Sequence, residues 1–259
     1  MRVVIITSIR RGFASLCLPR LARSKNFEIA GVLLNEGRTD FRARWKRTLG
    51  KTRRIGLLGA INGLRMRRWY DLSRACVLHD IATTAQEFGV PVRTITSFRS
   101  PIAAETLASF EADVAISLGN PLIPKSVFEV PRLGTINIHH ELLPEFRGAQ
   151  TAIWQLYRGH RTTGFTIHCI DQGVDTGRIL MRKECDIQFR PTLRETVTET
   201  YAFVCRHSCE SLVDVLCNAE AAIAGASSQP CGASYTTPRW REFQEIDRQF
   251  RRLRPSPLE

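Results

Sequence analysis

Asn137, His139 and His140 lie in "TINIHHELLPEFRGAQ", residues 135–150, where β-branched residues alternating with polar ones give way to an acid and a proline-bounded loop. An amide, two imidazoles and a carboxylate at the end of one strand can hold developing charge and move protons. In an extended chain, residues two apart project to the same side, so Asn137 and His139 share a face and His140 points elsewhere. Farther on, "IDQGVDTGR" places Asp171 and Asp175 in a glycine-bracketed loop that can return a carboxylate to the histidine. Each piece also has a plainer reading. An Asn-x-His pair can order a loop, and DxGxDTG can be a tight turn in which Asp caps backbone amides.

The elements that must carry these residues read as alternating strands and helices. "RVVIITS" (2–8) and "EIAGVLL" (28–34) are continuous apolar runs of strand length with room for a helix between them, as buried parallel strands are. No GxGxxG follows the first, so a dinucleotide fingerprint is absent. A helix is predicted over 76–89, a strand over "VPVRTIT", and a helix over "SPIAAETLASFEA" with Ser100 as N-cap and Pro101 at its first position. "DVAISLG" and "GTINIH" are strands again. After a short helix over 149–159, residues 163–171 and 177–187 read as paired strands and 192–224 as a long helix. This order predicts an α/β, Rossmann-like, mostly parallel sheet. A catalytic domain over 1–190, interrupted by a basic insertion at 38–76, would be followed by a helix and a short extension over 191–259.

At 259 residues and 43% apolar composition, the chain can bury one sizeable core. No apolar stretch reaches the length of a membrane span, and "MRVVIITSIRR" is too short and too soon charged for a signal peptide, so a cytoplasmic address is expected. The eight cysteines are scattered without zinc-type spacing and are expected to be buried thiols; in "CRHSC" a helix would turn His207 away from Cys205 and Cys209. No metal is expected. The net charge of +12 is concentrated: residues 38–68 hold eleven Lys or Arg against one acid, Asp40. Such a segment can contact phosphates, or, with "IGLLGAINGL" between its basic stretches, form an amphipathic helix pair for a partner or a membrane surface. A solvated helix face is the plain alternative.

"NIHHELLPEFRGAQ" followed by "TGFTIHCIDQGVDTGRIL" resembles the core of the folate-dependent formyltransferases, with "LGNPLIP" and "PRLGTINIH" similar as well. The resemblance runs over about 113–187. It implies Asn137, His139 and Asp175 as the catalytic residues and 10-formyltetrahydrofolate as formyl donor. The donor would be bound by the loop holding Pro121, Leu122, Ile123 and Pro124 and by the loop before Asp175, including Asp171. In that chemistry Asn137 would donate to the formyl oxygen, His139 would donate a proton toward the departing nitrogen, and Asp175 would hold the imidazole. Glu141, Gln150 and Thr151 depart from the usual pattern and are expected to reshape the acceptor side.

Three acceptors are considered. The short stretch after Gly225 argues against the second domain of methionyl-tRNA formyltransferases, whereas the basic segment lies near their RNA-contacting loop. Glycinamide ribonucleotide transformylases lack the insertion. The resemblance therefore points to a nucleotide-linked amino sugar, GDP-perosamine or a dTDP-linked amino sugar, used in surface polysaccharide (O-antigen) synthesis, with a homodimer possible. Arg147 either meets the acceptor's diphosphate or bonds carbonyls of its own loop. A non-catalytic basic module binding nucleic acid or membrane is the reading from another class.

Overall fold

Both apolar runs near the start are strands, β1 (Arg2–Thr7) and β2 (Glu28–Asn35), joined through helix α1 (Phe13–Ala22). In β1, Val3 and Ile5 pack on one face of the sheet and Val4 and Ile6 on the other. Burial on both faces is why this strand reads as an unbroken apolar run. β3 (Val92–Ile95), β4 (Val114–Ser117) and β5 (Thr135–His139) complete the parallel part, and β6 (Thr162–Cys169) and β7 (Ile179–Asp186) run antiparallel. The seven-stranded sheet has the order β3-β2-β1-β4-β5-β6-β7, an α/β, Rossmann-like arrangement. The computed structural model describes residues 1–37, 41–148 and 150–255.

The basic insertion forms α2 (Phe41–Arg67), followed by two short 3₁₀ turns, Arg68–Tyr70 and Leu72–Arg74. Gly56, at φ 77°, breaks α2 into two helical stretches, which is the expected pair; Arg38, Thr39 and Asp40 lie outside the described residues. The helix predicted from residue 76 begins only at α3 (Ile81–Glu87), because Asp80 caps it by accepting from the Ala82 amide at 2.9 Å. α4 (Pro101–Ala108) starts as expected, with Ser100 before it, and α5 (Lys125–Phe128) begins after Pro124. α6 (Ile153–Tyr157) fills only the middle of the predicted 149–159.

The predicted helix 192–224 is two helices, α7 (Leu193–Cys217) and α8 (Ala219–Ala224), parted at Asn218. Thr192 and Glu195 start α7 with a reciprocal capping box, each side chain bonding the other's amide at 3.2 Å. α7 is no appendage: Val204, Cys205, Leu212 and Val215 share a cluster with Val3 and Ile5, so a boundary at residue 190 would cut through one core. The opposite face of the sheet is covered by α4 and α5. α9 (Trp240–Leu253) buries Phe243, Ile246 and Phe250 against Met66, Ile153 and Leu156 in a third cluster. Of the eight cysteines only Cys17, Cys205 and Cys209 are buried, and Cys231 is exposed. His207 turns to Glu210, at 3.3 Å.

Candidate active site

β5 delivers Asn137 and His139 to the edge of the core. Its parallel register with β4 sets Ser117 beside Asn137, and its antiparallel register with β6 sets His168 beside Asn137 and Thr166 beside His139. Laterally paired residues point to the same face, so an amide and two imidazoles converge there. His168 was not singled out in the sequence. Its signal is an ionisable residue in the largely buried strand "GFTIHC", but only the strand register brings it to Asn137.

The imidazole of His168 is fixed at both nitrogens. Nδ1–H donates to the Cys169 carbonyl at 2.8 Å, which leaves Nε2 to accept from the Asn137 amide nitrogen at 3.2 Å. Burial pushes the His168 pKa down, so the neutral ring that can accept is the favoured form. One Asn137 amide hydrogen is thereby committed and the other remains for a ligand. His139 is fixed from the opposite side: its Nε2–H donates to the Phe146 carbonyl at 2.9 Å.

Asp175 arrives from the β6–β7 loop in a left-handed conformation, φ 54°, which Asp tolerates better than most side chains. Its carboxylate lies 3.5 Å from His139 Nδ1 and 3.7 Å from His168 Nε2, and accepts from the Gly148 amide at 3.2 Å. The loop holds this shape through Asp171, whose Oδ1 accepts from the Gly173 amide at 3.0 Å and the Thr176 hydroxyl at 2.6 Å. A Cβ on Gly177 would lie 1.8 Å from the Cys169 carbonyl oxygen, so only glycine lets the loop leave β6 so closely.

A cavity of about 380 Å³ opens between this loop and residues 120–123; Pro121, Leu122, Ile123, Asn137, His168, Asp171 and Asp175 line it. Pro124 is not among its lining residues but precedes α5 as its N-cap. His139 Nδ1 faces the Asp175 carboxylate at 3.5 Å, and its side chain keeps 12% of its surface exposed. Asn120, also unflagged in the sequence, anchors the loop by donating to the Ile6 carbonyl at 2.7 Å and accepting from Ser8 at 2.8 Å. A larger cavity, about 610 Å³, lies between the end of α2 and α9 and contains none of these groups.

The neighbouring polar residues have structural work. His140 packs edge-on against Phe13 and Tyr201, and burial lowers its pKa to about 3. Glu141 does not reach an acceptor side: it is fully buried, accepting from the Ala152 amide at 2.9 Å, from Thr163 at 3.2 Å and from Gln155. Thr151 bonds the His140 carbonyl at 2.9 Å and receives Tyr70 on its own carbonyl, so it too orders this turn. Gln150 accepts at its carbonyl from the Ile153 amide at 3.2 Å, at the start of α6, and Ala149 beside it lies outside the described residues. Arg147 does not bond carbonyls of its own loop: it donates to the Gln229 side chain at 3.0 Å and to the Pro230 carbonyl at 2.8 Å, tying the loop to the distant segment that precedes α9.

Burial raises the Glu141 carboxyl well above its ordinary 4.5. A neutral Glu141 can donate to the Gln155 amide oxygen once that amide is turned over, which gives the otherwise unpartnered Oε1 a bond. Because the folded state holds this proton more tightly, its stabilising effect is complete below the unfolded value and is lost as pH rises through the raised one. Glu141→Gln should therefore leave melting temperature similar to wild type in acid and increasingly above it as pH rises, measured by thermal melts across pH. A difference independent of pH would contradict a proton held on Glu141.

Residues 68–215 match the formyl transferase family. Methionyl-tRNA formyltransferase of Chromohalobacter salexigens is 41% identical over 108 residues, 41% of this chain and 33% of that protein. The same enzyme of Brucella abortus strain S19 is 39% identical over 122 residues, 47% and 39% of the two chains. The chain thus matches between a third and two fifths of those relatives' length. Among solved structures, phosphoribosylglycinamide formyltransferase from Anaplasma phagocytophilum superposes with a TM-score of 0.57 at 19% identity, over 84% of this chain and 87% of its own. An N-formyltransferase from Helicobacter canadensis, solved with folinic acid and dTDP-3-aminofucose, gives 0.56 at 16% identity over 96% and 80%. With a family match across more than half its length, centred on the strands and loop that assemble Asn137, His168 and Asp175, this chain belongs to the formyl transferase family.

Proposed function

We propose that this protein transfers a formyl group from 10-formyltetrahydrofolate to the amine of a nucleotide-linked amino sugar. The observation that carries the reading is the return of Asp175 to His139 and His168 beside the free amide hydrogen of Asn137. The donor fits the cavity of about 380 Å³, which is within the usual range for small-molecule sites and is walled by backbone-rich loops with Leu122 and Val174 exposed on them. Residues 121–123 and 171–174 would hold it. Bound there, 10-formyltetrahydrofolate supplies a formyl carbon attached to a nitrogen that can leave.

The residues divide the remaining work. When an amine attacks a formyl carbon, negative charge gathers on the oxygen, where the uncommitted N–H of Asn137 stabilises it. Positive charge gathers on the amine, and Asp175, on the cavity wall, takes its proton directly or through a water. His139, held by Phe146 and facing Asp175 through Nδ1, steadies that carboxylate and can share the proton. A proton from His139 can reach the leaving nitrogen through Asp175, whose carboxylate lines the cavity and lies 3.5 Å from Nδ1.

The amino-sugar acceptor is favoured by the extent of likeness: the Helicobacter canadensis structure superposes on 96% of this chain, and glycinamide ribonucleotide enzymes on 82–85%. A GDP- or dTDP-linked amino sugar for surface polysaccharide, GDP-perosamine among them, is the finer form of the proposal. Initiator methionyl-tRNA is the second reading, favoured by the 39–41% identity to methionyl-tRNA formyltransferases. Incubation with the donor and a panel of GDP- and dTDP-linked amino sugars, with methionyl-tRNA in parallel, should give the mass gain of formylation on a sugar. A gain on tRNA alone would select the second reading, and no gain on any amine would remove the proposal.

A further inference from the structure

Helix α2 is apolar on two opposite sides, and only one of them is used by the fold. Its inner stripe, Ile55, Asn62, Met66 and then Trp69, is buried, and Gly59 and Gly63 bring the helix against Arg239 and Thr237 ahead of α9. Its outer stripe is bare: Leu57, Leu58, Ile61 and Leu64 are 69%, 55%, 55% and 61% exposed. At 100° per residue, Leu57, Ile61 and Leu64 fall within roughly 60° of one another, with Arg65 and Arg67 on either flank. Arg53, Arg54 and Arg68 are exposed as well. Among the described residues no carboxylate pairs with any of these five arginines.

We propose that the outer face of α2 docks the protein on an anionic membrane surface, with Leu57, Ile61 and Leu64 entering the acyl boundary and the arginines meeting lipid phosphates. Charge complementarity selects this occupant. An apolar stripe with exposed arginines at its flank and ends, Arg67, Arg68, Arg53 and Arg54, is the pattern of a helix lying in the plane of a bilayer, where long basic side chains reach up to the headgroups. Arg65 on the other flank stacks over Trp69 and Phe243. An RNA would satisfy the arginines and leave four large aliphatic side chains in water. An acidic bilayer satisfies both, since its surface attracts basic segments and its interior accepts the leucines. Docking there would hold the active site over the face of the membrane on which anionic lipid is exposed.

The test is flotation of the full-length protein with vesicles of phosphatidylcholine alone or enriched in phosphatidylglycerol. Wild type should float with the anionic vesicles and not with the neutral ones. A triple variant, Leu57→Ser, Ile61→Ser and Leu64→Ser, should partition roughly a hundredfold less, since it removes most of the inserted apolar area. Arg67→Gln with Arg68→Gln should weaken binding about tenfold and make it more sensitive to salt. Far-ultraviolet circular dichroism and melting temperature should be unchanged in all of them, because every substituted side chain is exposed. A separate variant, Ile61→Trp, should show a blue-shifted emission on binding. Equal binding by the serine triple variant, binding to neutral and anionic vesicles alike, or retention by RNA with no flotation would each overturn the proposal.

Discussion

Asn137→Ala is expected to lower kcat by about 10²–10³-fold with little change in the donor's KM, the loss typical of one preorganised oxyanion donor. The effect should be large because the donor is aimed before substrate arrives. His168 Nε2 holds one amide hydrogen of Asn137 at 3.2 Å, and the Cys169 carbonyl holds the His168 ring at 2.8 Å. A positioning role for His168 has its own signature. His168→Phe leaves the amide unaimed and should cost kcat roughly tenfold or more, and adding it to Asn137→Ala should cost little further. Steady-state kinetics on the accepted substrate check both. If Asn137→Ala retained kcat within about twofold, the oxyanion assignment would be wrong.

Asp175→Asn should be the most damaging conservative change, lowering kcat/KM by about 10²–10⁴-fold. Asparagine tolerates the left-handed backbone of this position and can still accept from the Gly148 amide, so the loop should keep its shape. What it cannot do is take a proton from the amine or offer a charge to the imidazole at 3.5 Å. Because the pair acts as a unit, His139→Ala in the Asp175→Asn background should add far less than it costs alone. Pre-steady-state formyl transfer by both single variants and the double variant measures this, and independent, multiplying losses would argue against a shared proton path.

The resemblance named Asn137, His139 and Asp175, and the chain places them together with His168, which the register of β6 sets beside Asn137. Asp175 and His168 line the cavity, and His139 meets the Asp175 carboxylate through Nδ1. Glu141 is expected on the acceptor side only because it departs from the pattern that the rest of the motif resembles. Here three donors from Ala152, Gln155 and Thr163 hold it fully buried. The basic segment was legible as an amphipathic helix pair, but which of its apolar sides docks on the fold and which stays bare is set by the chain ahead of α9.

By itself the sequence determined whatever depends on neighbours along the chain. Unbroken apolar runs mark strands covered on both faces, Asn137 and His139 share a side because they are two apart, and Thr192 with Glu195 starts a helix. Only the tertiary structure decided what depends on distant partners. The antiparallel register puts His168 beside Asn137 across 31 residues, and a left-handed Asp175 closes the site from 36 residues beyond His139. Periodicity is written locally, because it follows from backbone geometry. Register, burial and the titration of a carboxyl such as Glu141 follow from which surfaces exclude water together, and that is settled only when the whole sheet and its helices have packed.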